Sequence, residues 1–154
     1  MQSLATDRQT VWLGVTGLDL FIPILTYLFG EAQLGGCCAV VSLHRLREEF
    51  YGLPPNPNFL KERLLKECVH ELGHVCGPRH CLDWRCVMAS THDVEPVDLK
   101  SDEFCPSCLG SLLREPGPAR VQPFVINRSL QCPLEPAFAH VSEPIMRKEL
   151  SGRV

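Results

Sequence analysis

The residues best suited to chemistry lie between positions 70 and 80 of this 154-residue chain. The pattern HExxHxxGxxH is formed by His70, Glu71, His74, Gly77 and His80. Histidines four positions apart lie on one face of a helix and can both reach one metal ion. Glycine can adopt the left-handed conformation that ends a helix, so that the third histidine returns to the first two. The pattern predicts three nitrogen ligands for zinc, an open fourth position, and an adjacent glutamate that can act as general base on a bound water.

Four cysteines predict a second metal site immediately after the third histidine. Their spacing is C-x4-C, a loop, and then C-x2-C, and they are Cys81, Cys86, Cys105 and Cys108. Four thiolates form a closed tetrahedral zinc site that contributes to folding and has no open position for catalysis. Free buried cysteines are the alternative for this set. For the bare HExxH pattern, the alternative is a helix whose histidines only cap it or face solvent.

Composition and charge restrict the class of protein that carries these residues. The chain is 45% apolar and 21% charged, which is typical of one globular domain. Its net charge is −3, and no run of lysine or arginine is long enough to form a binding surface for nucleic acid or an acidic membrane. The nine cysteines, an odd number, favour metal binding over a disulfide framework in a reducing compartment.

No targeting or membrane segment is predicted. The first ten residues lack the charged start and long apolar core of a secretory signal, so we expect an intracellular, cytoplasmic protein. The most apolar region, residues 11–30, is interrupted by Gly14, Asp19 and Pro23, whereas a spanning helix needs about twenty nearly unbroken apolar residues. We therefore expect neither a membrane span nor a membrane partner.

Three short strands are predicted before the histidines. VWLGVT at positions 11–16 is apolar, rich in β-branched and aromatic residues, and ends at Gly17. ILTYLFGEAQ at positions 24–33 and GCCAVVSLHRL at positions 36–46 are predicted as the second and third strands, joined by a tight glycine turn. Together the three strands would form a small sheet.

A helix is predicted from Asn56 or Asn58, either of which can cap it, to about Cys76. Its apolar stripe, expected to pack on the sheet, consists of Leu60, Leu64, Cys68, Leu72 and Val75. The residues on the opposite side, away from this core, are Arg63, Glu67, His70 and His74. Glu67 is expected on a solvated face, with orientation of a histidine ligand as the alternative. From Cys76 to Cys108 turn-forming residues predict irregular structure.

HELGHVCGPRHCLDWRCVM followed by FCPSC resembles the signature of the archaemetzincins, HExxHxxGxxxCxxxxCxM with a later CxxC. LGVTGLDLFIP and FGEAQLGGCCAVVSLHRL are also similar to the sequence that precedes the helix in that family. The resemblance covers residues 11 to 113. It identifies the chain as a member of the archaemetzincins, peptidase family M54, within the metzincin zinc metallopeptidases. It implies a compact α/β catalytic domain with a small mixed sheet, an active-site helix and a zinc-stabilised irregular C-terminal part.

By position, the resemblance implies two zinc ions per chain. His70, His74 and His80 would bind the catalytic zinc, Glu71 would be the base and proton shuttle, and the four cysteines named above would bind the structural zinc. Met88, which alone would be explained as a core methionine, would form the methionine turn beneath the histidines and act by packing. The strand within GEAQLGGCCAVVSL would take a peptide by strand addition.

The chain also departs from the family pattern. Archaemetzincins usually begin with a further strand and helix before LGVT, so we expect the domain at 1–113 to lack them and its sheet to be incomplete. Residues 114–154 are predicted to be a proline-rich irregular tail, in part disordered. Pro78 removes a backbone donor beside His80, which would either stiffen the turn or displace that histidine.

These observations predict a zinc-dependent peptidase, with aminopeptidase-like activity, reported for some archaemetzincins, as one form of it. The alternative is a catalytically inactive, truncated zinc-binding or interaction protein. A zinc ribbon that binds nucleic acid through residues 81–108 is disfavoured by the acidic balance of the chain. The expected partner is a peptide or protein substrate, with neither nucleic acid nor membrane, and the chain is expected to be a monomer.

Overall fold

The computed structural model describes residues 10–114 and the backbone of residues 120–125. The strands, in chain order, are β1 (Thr10–Thr16), β2 (Leu20–Ile22), β3 (Leu25–Leu28), β4 (Gly30–Ala32), β5 (Cys38–Ser42) and β6 (Arg120–Val125). The helices are a 3-10 helix (Glu48–Tyr51), α1 (Pro57–Val75), α2 (Val94–Leu99) and α3 (Pro106–Leu112). The predicted mixed α/β class is confirmed. No helix within the described residues has the length and hydrophobicity that crossing a membrane requires.

Four strands form one mixed sheet in the order β4-β5-β1-β6. β5 runs parallel to β1, with Val41 opposite Val15, and antiparallel to β4. All five residues of β5 are buried, as expected for an apolar strand with a neighbour on either side and a helix against one face. β4 is therefore an edge strand, and the predicted glycine turn joins it to β5.

The predicted second strand is divided in the structure. Residues 24–33 contain both β3 and β4, with Phe29 buried between them. β3 pairs antiparallel with β2, which the sequence analysis missed, and the two form a separate hairpin. A run of ten residues with one apolar pattern does not reveal that its halves belong to different sheets.

Helix α1 begins and packs as predicted. The side chain of Asn56 accepts a hydrogen bond from the Phe59 N–H at 3.2 Å, which satisfies one of the free donors of the first turn. Val75 is buried in a core shared with both sheets, and the other four members of the predicted apolar stripe pack against that core. The helix ends at Cys76, and Gly77 follows with φ of 112°. The positive φ explains why glycine stands there.

The prediction of a solvated position for Glu67 is wrong. Arg63, Glu67 and His70, all on the face of α1 away from the sheet, are 3–5% exposed. Residues 85–104 cross this face and are tied together by hydrogen bonds from the Ser101 N–H to the Arg85 carbonyl and from the Val87 N–H to Glu103. Helix α1 is thus covered on both sides, and its polar face lies against a second, smaller core.

Two helices and one strand lie where irregular structure is predicted. α2 and α3 have six and seven residues, too few to show a helical period. β6 lies within the tail predicted to be irregular, and it pairs parallel to β1 at the sheet edge. Pro123 is compatible with an edge strand because one side of that strand needs no donor. Residues 1–9, 115–119 and 126–154 lie outside the described residues, so the rest of the tail prediction and the domain boundary at 113 stay predictions.

Candidate metal centres

The three predicted histidines are brought together at the end of α1. One ring nitrogen from each of His70, His74 and His80 lies within 4.8 Å of the others. The Nε2 atoms of His70 and His74 are 3.1 Å apart. The turn through Gly77 returns the chain as predicted, and Pro78 does not displace His80 from the cluster.

Hydrogen bonds fix which nitrogen of each helical histidine faces the cluster. His70 Nδ1 donates to the Val87 carbonyl and His74 Nδ1 donates to the Pro78 carbonyl, both at 2.8 Å. Because a carbonyl only accepts, the proton of each neutral ring is on Nδ1 and each Nε2 presents a lone pair. Two lone pairs facing each other at 3.1 Å repel unless a cation lies between them. The arrangement therefore fits zinc, whose histidine ligands usually donate their second N–H to a carbonyl or carboxylate.

Desolvation of the rings favours the neutral form that binds metal, although His80 as a whole residue is exposed. Burial is the largest cause that lowers the pKa of His70 to about 3, and the Lys100 ammonium lowers it further. The pKa values of His74 and His80 are also lowered, again mainly by burial. At neutral pH none of the three rings needs to lose a proton before it can bind a metal ion.

Glu71 is buried beside these histidines. Burial raises the pKa of its carboxyl well above the usual value, and the nearby charges of Glu67 and Glu31 raise it further, whereas Lys100 lowers it. The carboxylate lies against Gly30 at the start of the edge strand β4. The predicted base thus lies between the histidine helix and the strand predicted to receive a peptide.

An open cleft of about 620 Å³ passes over the histidine cluster. The lining residues include Glu31 of β4, Leu34 just after it, most of β3, and residues 90–93, which form a second wall. Glu71 and the three histidines line the cleft between these walls. A peptide lying along β4 would therefore pass directly over the cluster.

The four predicted cysteines form a second cluster. Their sulfur atoms lie within 4.8 Å of one another, and the Sγ atoms of Cys81 and Cys105 are 3.7 Å apart. Four sulfurs placed tetrahedrally at about 2.3 Å from one zinc would be about 3.8 Å apart, whereas a disulfide requires about 2.05 Å. The Asp83 and Cys105 N–H groups point at the sulfurs of Cys81 and Cys86, at 3.4 and 3.3 Å. Backbone donors aimed at sulfur favour thiolates, the form that binds zinc.

Met88 is fully buried and packs against α1, the helix that carries His70 and His74. Its carbonyl accepts a hydrogen bond from the Cys81 N–H at 2.8 Å, and the preceding carbonyl, that of Val87, receives the His70 ring. Its sulfur packs against Gly73 of α1 so closely that an added Cβ at that position would lie 2.4 Å from Sδ. This placement supports the packing role predicted for Met88.

We expect Gly73→Ala to destabilise the protein by about 1 to 2 kcal/mol. Within a helix, alanine is usually more stable than glycine by about 0.5 to 1 kcal/mol. Here the new Cβ would also lie 3.1 Å from Phe104, and overpacking of a buried site costs about 1 to 3 kcal/mol. Denaturant unfolding measures the difference. Gly110→Ala in α3 is the control, because nothing lies within 4 Å of its Cβ and a small gain is expected; a Gly73→Ala protein as stable as wild type contradicts the prediction.

One charged pair next to the cluster is not predictable from the sequence. Lys100 is fully buried, and its Nζ lies 2.9 Å from Glu67 Oε1. The position of Glu67 on the histidine face is visible in the sequence. Lys100 carries no comparable signal, because it belongs to a non-periodic segment 33 residues away.

Asp19, which matches the family pattern but has no chemistry assigned from the sequence, has a structural role. Its carboxylate accepts two hydrogen bonds from Arg45 at 2.7 and 2.8 Å. The Arg45 guanidinium lies 4.0 Å over the ring of Tyr27, whose hydroxyl donates to the His92 carbonyl. This network links the β3 wall of the cleft to the opposite wall. The five cysteines outside the C-x4-C and C-x2-C pattern are expected from the sequence to be ordinary thiols rather than ligands. Four of them, Cys37, Cys38, Cys68 and Cys76, lie outside both clusters, and Cys132 lies outside the described residues.

The chain is similar to known proteins along most of its length. The family model described as peptidase family M54 matches residues 2–114. The archaemetzincin of Methanocaldococcus jannaschii is 50% identical over 112 residues, which are 73% of this chain and 62% of that protein. The crystal structure of a zinc-dependent peptidase from Methanocorpusculum labreanum superposes with a TM-score of 0.63 at 38% identity, over 65% of this chain and 52% of that one. The archaemetzincin structure from Methanopyrus kandleri gives a TM-score of 0.60 at 44% identity, over 66% and 53% of the two chains.

The chain spans between about half and three-fifths of the length of these relatives. The matched region nevertheless includes both clusters, the helix that carries two of the histidines and the edge strand. On the family match and these identities, the chain belongs to the archaemetzincins, peptidase family M54.

Proposed function

We propose that this chain is a zinc-dependent peptidase that hydrolyses peptide bonds in the cleft above His70, His74 and His80. The observation that carries the proposal is the pair of Nε2 lone pairs that face each other at 3.1 Å beside a buried carboxylate. The printed description of one structural relative as a zinc-dependent peptidase supports the same activity. An open cleft bordered by an edge strand provides access for an extended substrate.

The three histidines would hold the catalytic zinc. Bound there, zinc would supply a Lewis acid for the scissile carbonyl and for the attacking water. The carbonyls of Val87 and Pro78 orient the rings of His70 and His74 through Nδ1, which frees Nε2 for the metal. The four cysteines would hold a second, structural zinc, so that each chain binds two ions.

Glu71 would move the proton in this reaction. Its carboxylate accepts a proton from the water that attacks the scissile carbon and then gives it to the nitrogen of the departing amine. The nitrogen leaves as a neutral amine, so the carboxylate is regenerated in each cycle. Burial between α1 and β4 holds the carboxylate in one place.

The edge strand β4 would position the substrate. Only one side of β4 is paired within the described sheet, to β5, so its other side can hydrogen-bond to the main chain of an extended peptide. Main-chain hydrogen bonds hold peptides of many sequences, and the cleft walls would then select among side chains.

We expect Glu71→Gln to lower kcat for peptide hydrolysis by about 100-fold while zinc binding stays unchanged. Glutamine keeps the size and packing of glutamate but cannot accept the proton. The assay uses a mixed peptide library, with free and with acetylated amino termini to detect aminopeptidase preference, and metal analysis of the same samples. Glu95→Gln, on the exposed surface of α2, is the control.

Three results would count against the proposal or a part of it. Equal hydrolysis by wild type and Glu71→Gln removes the assigned role of Glu71. Two zinc ions per chain without hydrolysis of any library peptide favours the alternative, a catalytically inactive zinc-binding protein. A single zinc per chain rejects the assignment of two separate sites.

A further inference from the structure

Gly30, the first residue of the edge strand β4, makes an unusually close contact with Glu71. A Cβ atom at position 30 would lie 2.6 Å from Glu71 Oε1, 2.7 Å from Cγ and 2.8 Å from Cδ. Carbon atoms approach such neighbours only to about 3.5 Å without repulsion. The Glu71 side chain therefore occupies the space that any other residue at position 30 would need.

Backbone conformation does not explain the glycine at this position. Among the glycines of the described residues, Gly35, Gly52 and Gly77 have positive φ, at 62°, 75° and 112°, which disfavours other residues. Gly30 is not one of these and lies within regular strand pairing opposite Val41. Glycine is therefore needed at position 30 because a side chain there would not fit, and not because of the backbone conformation.

Neither partner in this contact can easily move away. β4 is held by its pairing to β5, and the backbone beyond Phe29 is fixed by the hydrogen bond from the Ser42 N–H to the Phe29 carbonyl at 2.7 Å. Glu71 is 5% exposed and is attached to the same turn of α1 as His70. The position of the strand thus determines the position of the carboxylate.

We propose that Gly30 is a positioning residue for the peptidase reaction, because its missing side chain lets the Glu71 carboxylate lie against the strand that receives the substrate. This inference rests on the proposed function. A peptide added to β4 then has its main chain next to the proton carrier without any intervening side chain. A larger residue would move the carboxylate away from the scissile bond while leaving the substrate-binding edge of β4 intact.

The first test separates kcat from KM in Gly30→Ala. We expect kcat to fall by about 10- to 100-fold, because a displacement of about 1 Å has effects of that size, with KM within about threefold of wild type and zinc content unchanged. Gly17→Ala is the matched control, since the atom nearest its Cβ is in the Arg47 guanidinium at 4.0 Å. A kcat in Gly30→Ala equal to that of wild type, or an equal fall in Gly17→Ala, would overturn the proposal.

The second test does not depend on activity. We expect Gly30→Ala to lower Tm by roughly 3 to 9 °C in the wild-type background, as overpacking does in a chain of this size. In the Glu71→Ala background the same substitution should lower Tm by less than half as much, because the truncated side chain leaves space for the new Cβ. Equal losses in both backgrounds would show that the contact with Glu71 does not determine the cost and would overturn the proposal.

The two tests also separate this inference from the proposed function. One outcome is that the Tm coupling between positions 30 and 71 is found and yet wild type hydrolyses no library peptide. In that case the proposed function fails, and Gly30 has no role in catalysis. If wild type hydrolyses peptides but Gly30→Ala matches its kcat, only the positioning role fails. If Gly30→Ala does not fold, the Gly30→Ala/Glu71→Ala double variant is tested in its place. A folded double variant supports the conclusion that the contact with Glu71 causes the cost, and an unfolded one contradicts it.

Discussion

Lys100→Met is expected to lower the free energy of unfolding by about 3 to 5 kcal/mol. Lys100 is fully buried and Glu67 is 3% exposed, and the 2.9 Å ion pair joins them. Within the described part of the chain, neither Lys100 Nζ nor Glu67 Oε1 has another hydrogen-bond partner. Removing the lysine leaves a buried carboxylate without its counter-ion, and this is far more costly than loss of an exposed pair. Urea unfolding followed by circular dichroism measures the change.

The matched variants distinguish a buried unpaired charge from general damage. Glu67→Leu/Lys100→Met removes both charges and should recover most of the loss, to within about 2 kcal/mol of wild type. Arg85→Met is the surface control, because the side chain of Arg85 is 70% exposed and its 3.4 Å pair with Asp83 should contribute less than about 1 kcal/mol. A Lys100→Met protein within about 1 kcal/mol of wild type, or a double variant no more stable than it, contradicts the explanation.

The ion pair also connects the two halves of the site. Glu67 is on α1 one turn before His70, and Lys100 ends α2 in the segment that crosses the helix. The Lys100 ammonium acts on the histidine cluster as well, since its charge contributes to the lowered pKa of His70. Because a buried pair has little net stabilising effect compared with apolar residues, positioning of the crossing segment is its more important consequence.

Local patterns were sufficient to predict helix α1 and both residue clusters. The stripe at every third or fourth position from Leu60 to Val75 identifies the helix, and Asn56 and Gly77 mark its ends because capping and left-handed turns depend on few residues. The histidines and cysteines were predictable because metal ligands close in sequence have restricted spacings. The structure brings each predicted set together.

The burial of the polar helix face was not predictable in the same way. Arg63, Glu67 and His70 have the pattern of a solvated face until a second layer covers them, and that layer consists of short irregular elements without a period. The partners across the layer are distant: Asp98 is 35 residues from Arg63 and Lys100 is 33 residues from Glu67. The pairing of β6 with β1 is similarly remote in sequence. Such contacts depend on the tertiary fold and leave no local signal.

The two clusters are mechanically connected through consecutive residues. His80 and Cys81 are joined by one peptide bond, and the Cys81 N–H donates to the Met88 carbonyl. Cys86 is followed by Val87, whose carbonyl orients His70. The cysteine cluster therefore fixes both ends of the loop that supports the histidines. A structural zinc at the cysteines would hold the three histidines in place as well as the fold.

Cys108→Ser is expected to remove the second zinc and to unfold at least residues 81–113. A structural zinc site contributes about 10 to 16 kcal/mol of apparent binding free energy at neutral pH, whereas whole domains are stable by only about 5 to 15 kcal/mol. Serine cannot replace a thiolate ligand at the buried position of Cys108. Because Val87 then no longer fixes the His70 ring, we also expect zinc affinity at the histidines to fall by about 10- to 100-fold.

Metal analysis, thermal unfolding and zinc titration of the Cys108→Ser protein check these effects together. Cys37→Ser is the control, since Cys37 is a half-buried cysteine outside both clusters. The Cys37→Ser protein should retain both zinc ions and the wild-type Tm. His74→Ala is expected to lose one zinc and keep the fold, because the cysteine cluster, and not the histidine cluster, joins the two ends of the crossing segment. Loss of a zinc in Cys108→Ser without a change in Tm would show that the cysteine cluster binds metal but does not support the histidine site. Retention of both zinc ions would reject the four-cysteine site itself.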